Sequence, residues 1–127
     1  METCITHGIE VTVESFYVEQ HSDPSQDSYA FAYRVIMTNV GERPLKLLSR
    51  HWIITDGNGD TQEVRGEGVV GKQPTLLPGE PFEYTSGSRL NTPVGTMHGT
   101  YTMLSEDNEE VDVTIPCFTL MRPGTLN

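Results

Sequence analysis

Hydrophobic and polar residues alternate along most of this chain with a period of two, the spacing of strands that bury one face. Ile9, Val11 and Val13 open the pattern, and Phe16 and Val18 extend it after an expected slip in phase. His21–Ser28 (HSDPSQDS) then reads as a turn region centred on Pro24. Tyr29, Phe31, Tyr33, Val35 and Met37 define one face of a long strand, with Ala30, Ala32, Arg34, Ile36 and Thr38 on the other. The first face reads as core and the second as mixed.

Asn39–Pro44 breaks the alternation before Leu45–Thr55, which holds the only tryptophan, Trp52. Asp56–Asp60 (DGNGD) is a hairpin signal, because Gly and Asn tolerate the positive φ of tight turns. A short strand is predicted at Thr61–Arg65. Gly66–Pro81 contains four glycines and prolines at 74, 78 and 81, so it is predicted as a long loop. Phe82–Thr85 follows as a short strand and Ser86–Gly95 as a second loop. Met97, Gly99, Tyr101 and Met103 alternate next, and the acidic turn Ser105–Glu110 leads to a last strand, Val111–Ile115, running on to Phe118 and Leu120. Seven strands, turns every 8–12 residues or so, and no helix beyond a turn or two predict an all-β fold. The expected architecture is an immunoglobulin or fibronectin type III-like antiparallel β-sandwich, with residues 1–127 forming one domain and Trp52 between the sheets.

Charge narrows the function. Eight Lys+Arg stand against 18 Asp+Glu, a formal net charge of -10. Nucleic acid is excluded as a partner on this ground, since its binding requires cations to neutralise phosphates. No apolar run approaches the roughly 20 residues that cross a bilayer, so membrane insertion is not expected. The start of the chain shows no signal-peptide pattern, and a cytoplasmic location follows as an expectation. Cys4 and Cys117 are accordingly expected as free thiols.

Chemical motifs are sparse. Gly66–Gly71 spells G-x-G-x-x-G, but Lys72, Gln73 and Pro74 leave no room for the helix whose N-terminus would hold a pyrophosphate. What survives is an anion nest of backbone amides. Its candidate residues are Arg65, Gly66, Gly68, Gly71, Lys72 and Arg89, the last expected to approach the loop from elsewhere. The alternative is a purely structural glycine loop. Asp56, Asn58, Asp60 and Glu67 match EF-hand positions 1, 3, 5 and 12, yet position 6 is Thr61 and strands flank the segment. A hairpin turn is the better reading. His7, His21, His51 and His98 have no metal-ligand spacing, and no nucleophile motif or activated cysteine is present. No metal, no cofactor and no enzyme activity are predicted.

Residues 47–103 carry a resemblance. Ser49-Arg50-His51-Trp52, the Gly66–Gly71 loop with Gln73-Pro74, Leu77-Pro78-Gly79-Glu80, Ser86-Gly87, and Thr92-Pro93-x-Gly95-x-Met97-x-Gly99-x-Tyr101 together resemble the bacterial ApaG family. The resemblance implies a fibronectin type III-like sandwich in a cytoplasmic bacterial protein. It also implies an association with cobalt and magnesium efflux, genes beside a diadenosine tetraphosphatase, and interaction modules among related eukaryotic F-box and polymerase-associated proteins. The function expected is therefore a non-enzymatic interaction module with a protein partner, acting as an accessory factor. The alternative is a regulatory protein, linked to diadenosine tetraphosphate metabolism, that weakly binds phosphate, pyrophosphate or a divalent cation.

Overall fold

The predicted alternation becomes two sheets facing each other across one hydrophobic core. The structure, a computed structural model, describes residues 1–125. Its strands are β1 (Glu2–Thr6), β2 (Ile9–Tyr17), β3 (Tyr29–Asn39), β4 (Leu45–Asp56), β5 (Thr61–Glu67), β6 (Thr75–Leu76), β7 (Pro81–Leu90), β8 (Val94–Ser105) and β9 (Glu110–Met121). One sheet has the order β1-β2-β3-β7; the other has the order β5-β4-β8-β9, with β6 paired to the start of β4. Every pairing is antiparallel. Two single turns of 3-10 helix, Glu19–His21 and Pro24–Gln26, fill the turn region before β3.

Four expectations change in detail. Strands β1 and β6 were not predicted. Strand β2 keeps its phase: Ile9, Val11 and Val13 are fully buried and Tyr17 packs on the core, whereas Phe16 faces outward and is 47% exposed. Gly66 and Glu67 extend β5 into the predicted loop. Ser86–Leu90, also predicted as loop, is the second half of β7, paired in unbroken register with Tyr29–Tyr33 of β3.

Burial of the alternating residues drives this arrangement, because apolar area removed from water is the dominant favourable term. Val35, Met37, Leu47, Tyr101, Met103, Val113 and Leu120 have no exposed surface. Trp52 is 2% exposed and lies between the sheets, its ring within 5.2–6.3 Å of Tyr33, Tyr101 and Phe118. Tilted and edge-on geometry suits the ring quadrupoles. Opposite Trp52, Gly99 lets β8 approach β4 closely: a Cβ there would sit 1.9 Å from the His51 carbonyl oxygen.

The sandwich is tied on one side. Ser15 Oγ donates to the Thr119 carbonyl at 2.8 Å, and the Thr114 amide donates to Thr6 Oγ1 at 3.3 Å, joining β2 and β1 to β9. Among the described residues, no hydrogen bond joins β5 to β7 on the opposite side. That side is the open one. Cys4 and Cys117 are free thiols on β1 and β9.

Candidate functional site

Strand β4 carries the residues that face the open side, and a bulge decides which ones. Leu45 and Leu47 point inward, and the β4–β8 register then shifts between Leu47 and Ser49. After the shift Arg50, Trp52 and Ile54 take the inward phase, opposite Tyr101, Gly99 and Met97. His51 faces out, where its Nε2 meets Glu63 at 2.7 Å. An arginine therefore enters the inner layer beside the core.

Arg50 organises the glycine turn. Its Nη1 donates to the Glu67 carbonyl at 3.0 Å and to the Gly68 carbonyl at 2.8 Å. Its guanidinium lies over Gly66, where a Cβ would come within 2.8 Å of it. The Gly68 amide donates to the Leu48 carbonyl at 2.8 Å, and Gln73 Nε2 donates to the same oxygen at 2.9 Å. Val69 and Lys72 exchange amide-to-carbonyl bonds of 2.9 Å across a two-residue turn. Val70 and Gly71 take φ of 44° and 79° there, the positive pair a type I′ turn requires.

This geometry separates the predicted site residues. The amides of Gly68, Val69 and Lys72 are engaged within the protein, so they do not converge on an external anion. The turn instead offers carbonyl oxygens, and to a cation of the chain itself. Arg65 faces outward beside Glu63, 3.7 Å away, and Lys72 is exposed at the end of the turn. Arg89 belongs to the other sheet, where its Nη1 donates to the His21 carbonyl at 2.9 Å and to Ser28 Oγ. Gly66, Gly68 and Gly71 are held by turn and strand geometry. Arg50 was missed as a candidate.

A line of tyrosines continues inward from Arg50. The Tyr84 and Tyr101 hydroxyls hydrogen-bond at 2.5 Å between the sheets, and Tyr33 bonds the Ser86 side chain. Burial pushes all three phenols above their ordinary value of 10.0, against a smaller downward pull from the nearby Arg50 charge. Between this line and the solvent lies a cleft of about 230 Å³ lined by Arg50, Trp52, Val64, Ser86, Gly87 and Ser88. On the other face of β7, Gly87 also floors a groove of about 520 Å³ with Ala30, Ala32, Val18, His21 and Arg89. The Ser86–Ser88 segment thus separates two depressions.

The EF-hand match dissolves. Asp56 Oδ1 accepts from the Asn58 and Asp60 amides at 2.8 and 3.1 Å, capping its own hairpin, while β5 carries Glu67 to the far end of the strand. Among the described residues, no three His, Cys, Asp or Glu side chains are grouped to hold a metal ion.

These features define a two-sheet antiparallel sandwich with a glycine turn closed on an inward arginine. The model of the ApaG domain matches residues 19–105. Protein ApaG of Dechloromonas aromatica is 55% identical over 121 residues, 95% of each chain. Protein ApaG of Aromatoleum aromaticum is 53% identical over 121 residues, again 95% of each. A crystal structure from Bordetella pertussis superposes with a TM-score of 0.89 at 55% identity, covering 92% of this chain and 95% of that one. The chain belongs to the ApaG domain family.

Proposed function

We propose that this chain is a non-enzymatic interaction module that recruits a protein partner by strand addition at β7. The observation that carries this reading is the contrast among the four sheet edges. An edge strand offers unpaired N–H and C=O groups, and proteins guard such edges with shortness, charge, proline or bulges. Strand β1 has five residues. Strand β5 alternates Glu63, Arg65 and Glu67 along its outward face. Strand β9 carries Glu110, Asp112, Pro116 and a register irregularity. Strand β7 runs ten residues without a bulge, and its Thr85–Ser88 stretch is Thr-Ser-Gly-Ser. Its flanking charges turn back over its own sheet: Glu83 meets Arg34 at 3.3 Å, and Arg89 bonds the turn before β3. Pro81 guards only the first residue of the strand; from Thr85 to Ser88 the edge carries no charge, proline or bulge, with a depression on each side for the side chains of an added strand.

Tyr84 and Tyr101 bond to each other and Tyr33 to Ser86, with burial raising all three phenols, which supports a packing role for them and not proton transfer. In this reading residues 1–127 act as one domain in the cytoplasm. No described helix is long and apolar enough to cross a membrane. An influence on cobalt or magnesium efflux, implied by the family resemblance, would then act through the partner bound at β7.

The test is an edge-guarded variant. Thr85→Lys puts a charge on the exposed face of the edge. Affinity capture with the full chain should yield a discrete protein that Thr85→Lys loses while keeping its melting temperature. Retention of the same protein by a folded Thr85→Lys variant would contradict strand addition.

A further inference from the structure

The cleft between β5 and β7 contains a cation that the protein leaves uncompensated. Arg50 is half-buried on the inner face of β4, and its two protein acceptors, the Glu67 and Gly68 carbonyls, are neutral. Among the described residues, no Asp or Glu lies within ion-pair distance of it, although Arg43 and Arg65 each have one and Arg34 has two. Arg89 likewise bonds only neutral oxygens, but on the outer face of the other sheet. Withdrawing a charge from water is costly unless it is paired. In a chain with 18 acidic residues, a guanidinium that lines a cleft without a carboxylate partner is unexpected.

The surroundings of that charge suit an incoming anion. Both carbonyl bonds use Nη1, which fixes the plane of the guanidinium. Nε and Nη2 make no hydrogen bond to the described protein, so a two-pronged donor edge remains. That fork matches the paired oxygens of a carboxylate or phosphate, and charge-assisted bonds of this kind are the strong ones. Ser88 supplies a hydroxyl with no side-chain hydrogen bond among the described residues, whereas the Ser86 hydroxyl beside it is shared with Tyr33. Trp52, Ile54, Val64 and Met97 form apolar walls, which strengthen an electrostatic contact by lowering the local dielectric.

We infer that this cleft is a binding site for a small oxyanion group, phosphate or carboxylate, with Arg50 as its charged donor and Ser88 as a neutral one. The glycine turn serves this site from behind: its carbonyls aim the guanidinium, and Gly66 gives it room. The cleft is also one of the two depressions beside β7, so the inference touches the strand-addition reading without requiring it. A small-molecule titration reads the cleft alone, and capture by Thr85→Lys reads the edge alone.

The experiment is an NMR titration of the full ¹⁵N-labelled chain with sodium phosphate and, separately, sodium acetate, at fixed ionic strength with chloride as control. Saturable shifts are expected at the Arg50 Nε–H and the Ser86, Gly87 and Ser88 amides, with Kd about 1–20 mM for a single exposed contact group. Whichever anion saturates first identifies the group preferred. Arg50→Met should weaken binding at least about tenfold, equivalent to about 1.4 kcal/mol. Should that variant fail to fold, Ser88→Asp places a carboxylate in the cleft with Arg50 intact, and should weaken binding as much. Lys72→Ala and Arg89→Ala should leave Kd within about twofold. Absence of saturation with both anions overturns the inference, as does full binding by a folded Arg50→Met or Ser88→Asp variant. Loss of binding in Lys72→Ala would move the site to the turn and overturn it equally.

Discussion

The Arg50 guanidinium donates to the Gly68 carbonyl at 2.8 Å, so the glycine turn faces its cation with oxygens. A phosphate-binding nest needs the opposite polarity, amides converging on one point. Here the Gly68 amide bonds the Leu48 carbonyl, at the bulge that turned Arg50 inward. Turn, bulge and arginine form one unit, and a change in any of them reaches the open cleft.

Gly68 should be the least replaceable glycine of the turn. Its φ is +61°, and a Cβ would lie 2.3 Å from the Lys72 carbonyl oxygen, a backbone atom that cannot swing aside. Gly71 has φ +79° but open space around it. Gly68→Ala is expected to cost about 2–4 kcal/mol and Gly71→Ala about 1 kcal/mol, the difference being the clash. Urea denaturation of both variants checks the order. Equal losses would show that the turn relaxes freely.

Val70 points to a gain. It is β-branched, 54% exposed and held at φ 44°, where such residues are strained. Asn is favoured at the first central position of a type I′ turn. Val70→Asn should therefore stabilise the protein by about 0.5–1 kcal/mol. A higher urea midpoint with an unchanged slope is the expected result, and a lower midpoint would contradict the turn assignment.

Alternation made the long strands legible, and its failures were physical. Strand β1 (ETCIT) has no buried side chain to mark it, and Ile5 is 58% exposed. The Ser86–Ser88 stretch of β7 reads as a loop because its residues are small; ladder bonds to β3 hold it extended. The glycine spacing was visible in the sequence, but the polarity of the turn was not. It depends on Arg50, sixteen residues before Gly66 and on another strand. Counting by twos from Leu45 and Leu47 puts Arg50 outside; only the bulge after Leu47 brings it in.

Alkaline pH should unfold the protein through its tyrosine line. Burial, the largest cause, raises the pKa of Tyr33, Tyr84 and Tyr101 in the folded state above the ordinary 10.0. Below pH 10 both folded and unfolded states keep these protons, and the stabilising contribution is fully present. Above it the unfolded chain loses protons that the folded chain retains, so stability falls as pH rises. The slope approaches about 1.4 kcal/mol per pH unit for each such group. Urea midpoints between about pH 8 and 12 should stay level and then drop, with a shallower drop in Tyr84→Phe. A level profile throughout would place the phenols in water.

Photocrosslinking by position locates the edge at which a partner is recognised. A photoreactive side chain is placed in turn at Thr85 and Gly87 on β7, at Glu63 on β5, and at Thr3 and Asp112 on the tied side, and each full-length variant is irradiated in cells. Recognition at the open β7 edge should give one discrete adduct of constant mass, strongest from Thr85 and Gly87 and absent from Thr3 and Asp112. Adducts from Thr3 or Asp112, with none from Thr85 or Gly87, would place recognition on the tied side and contradict it.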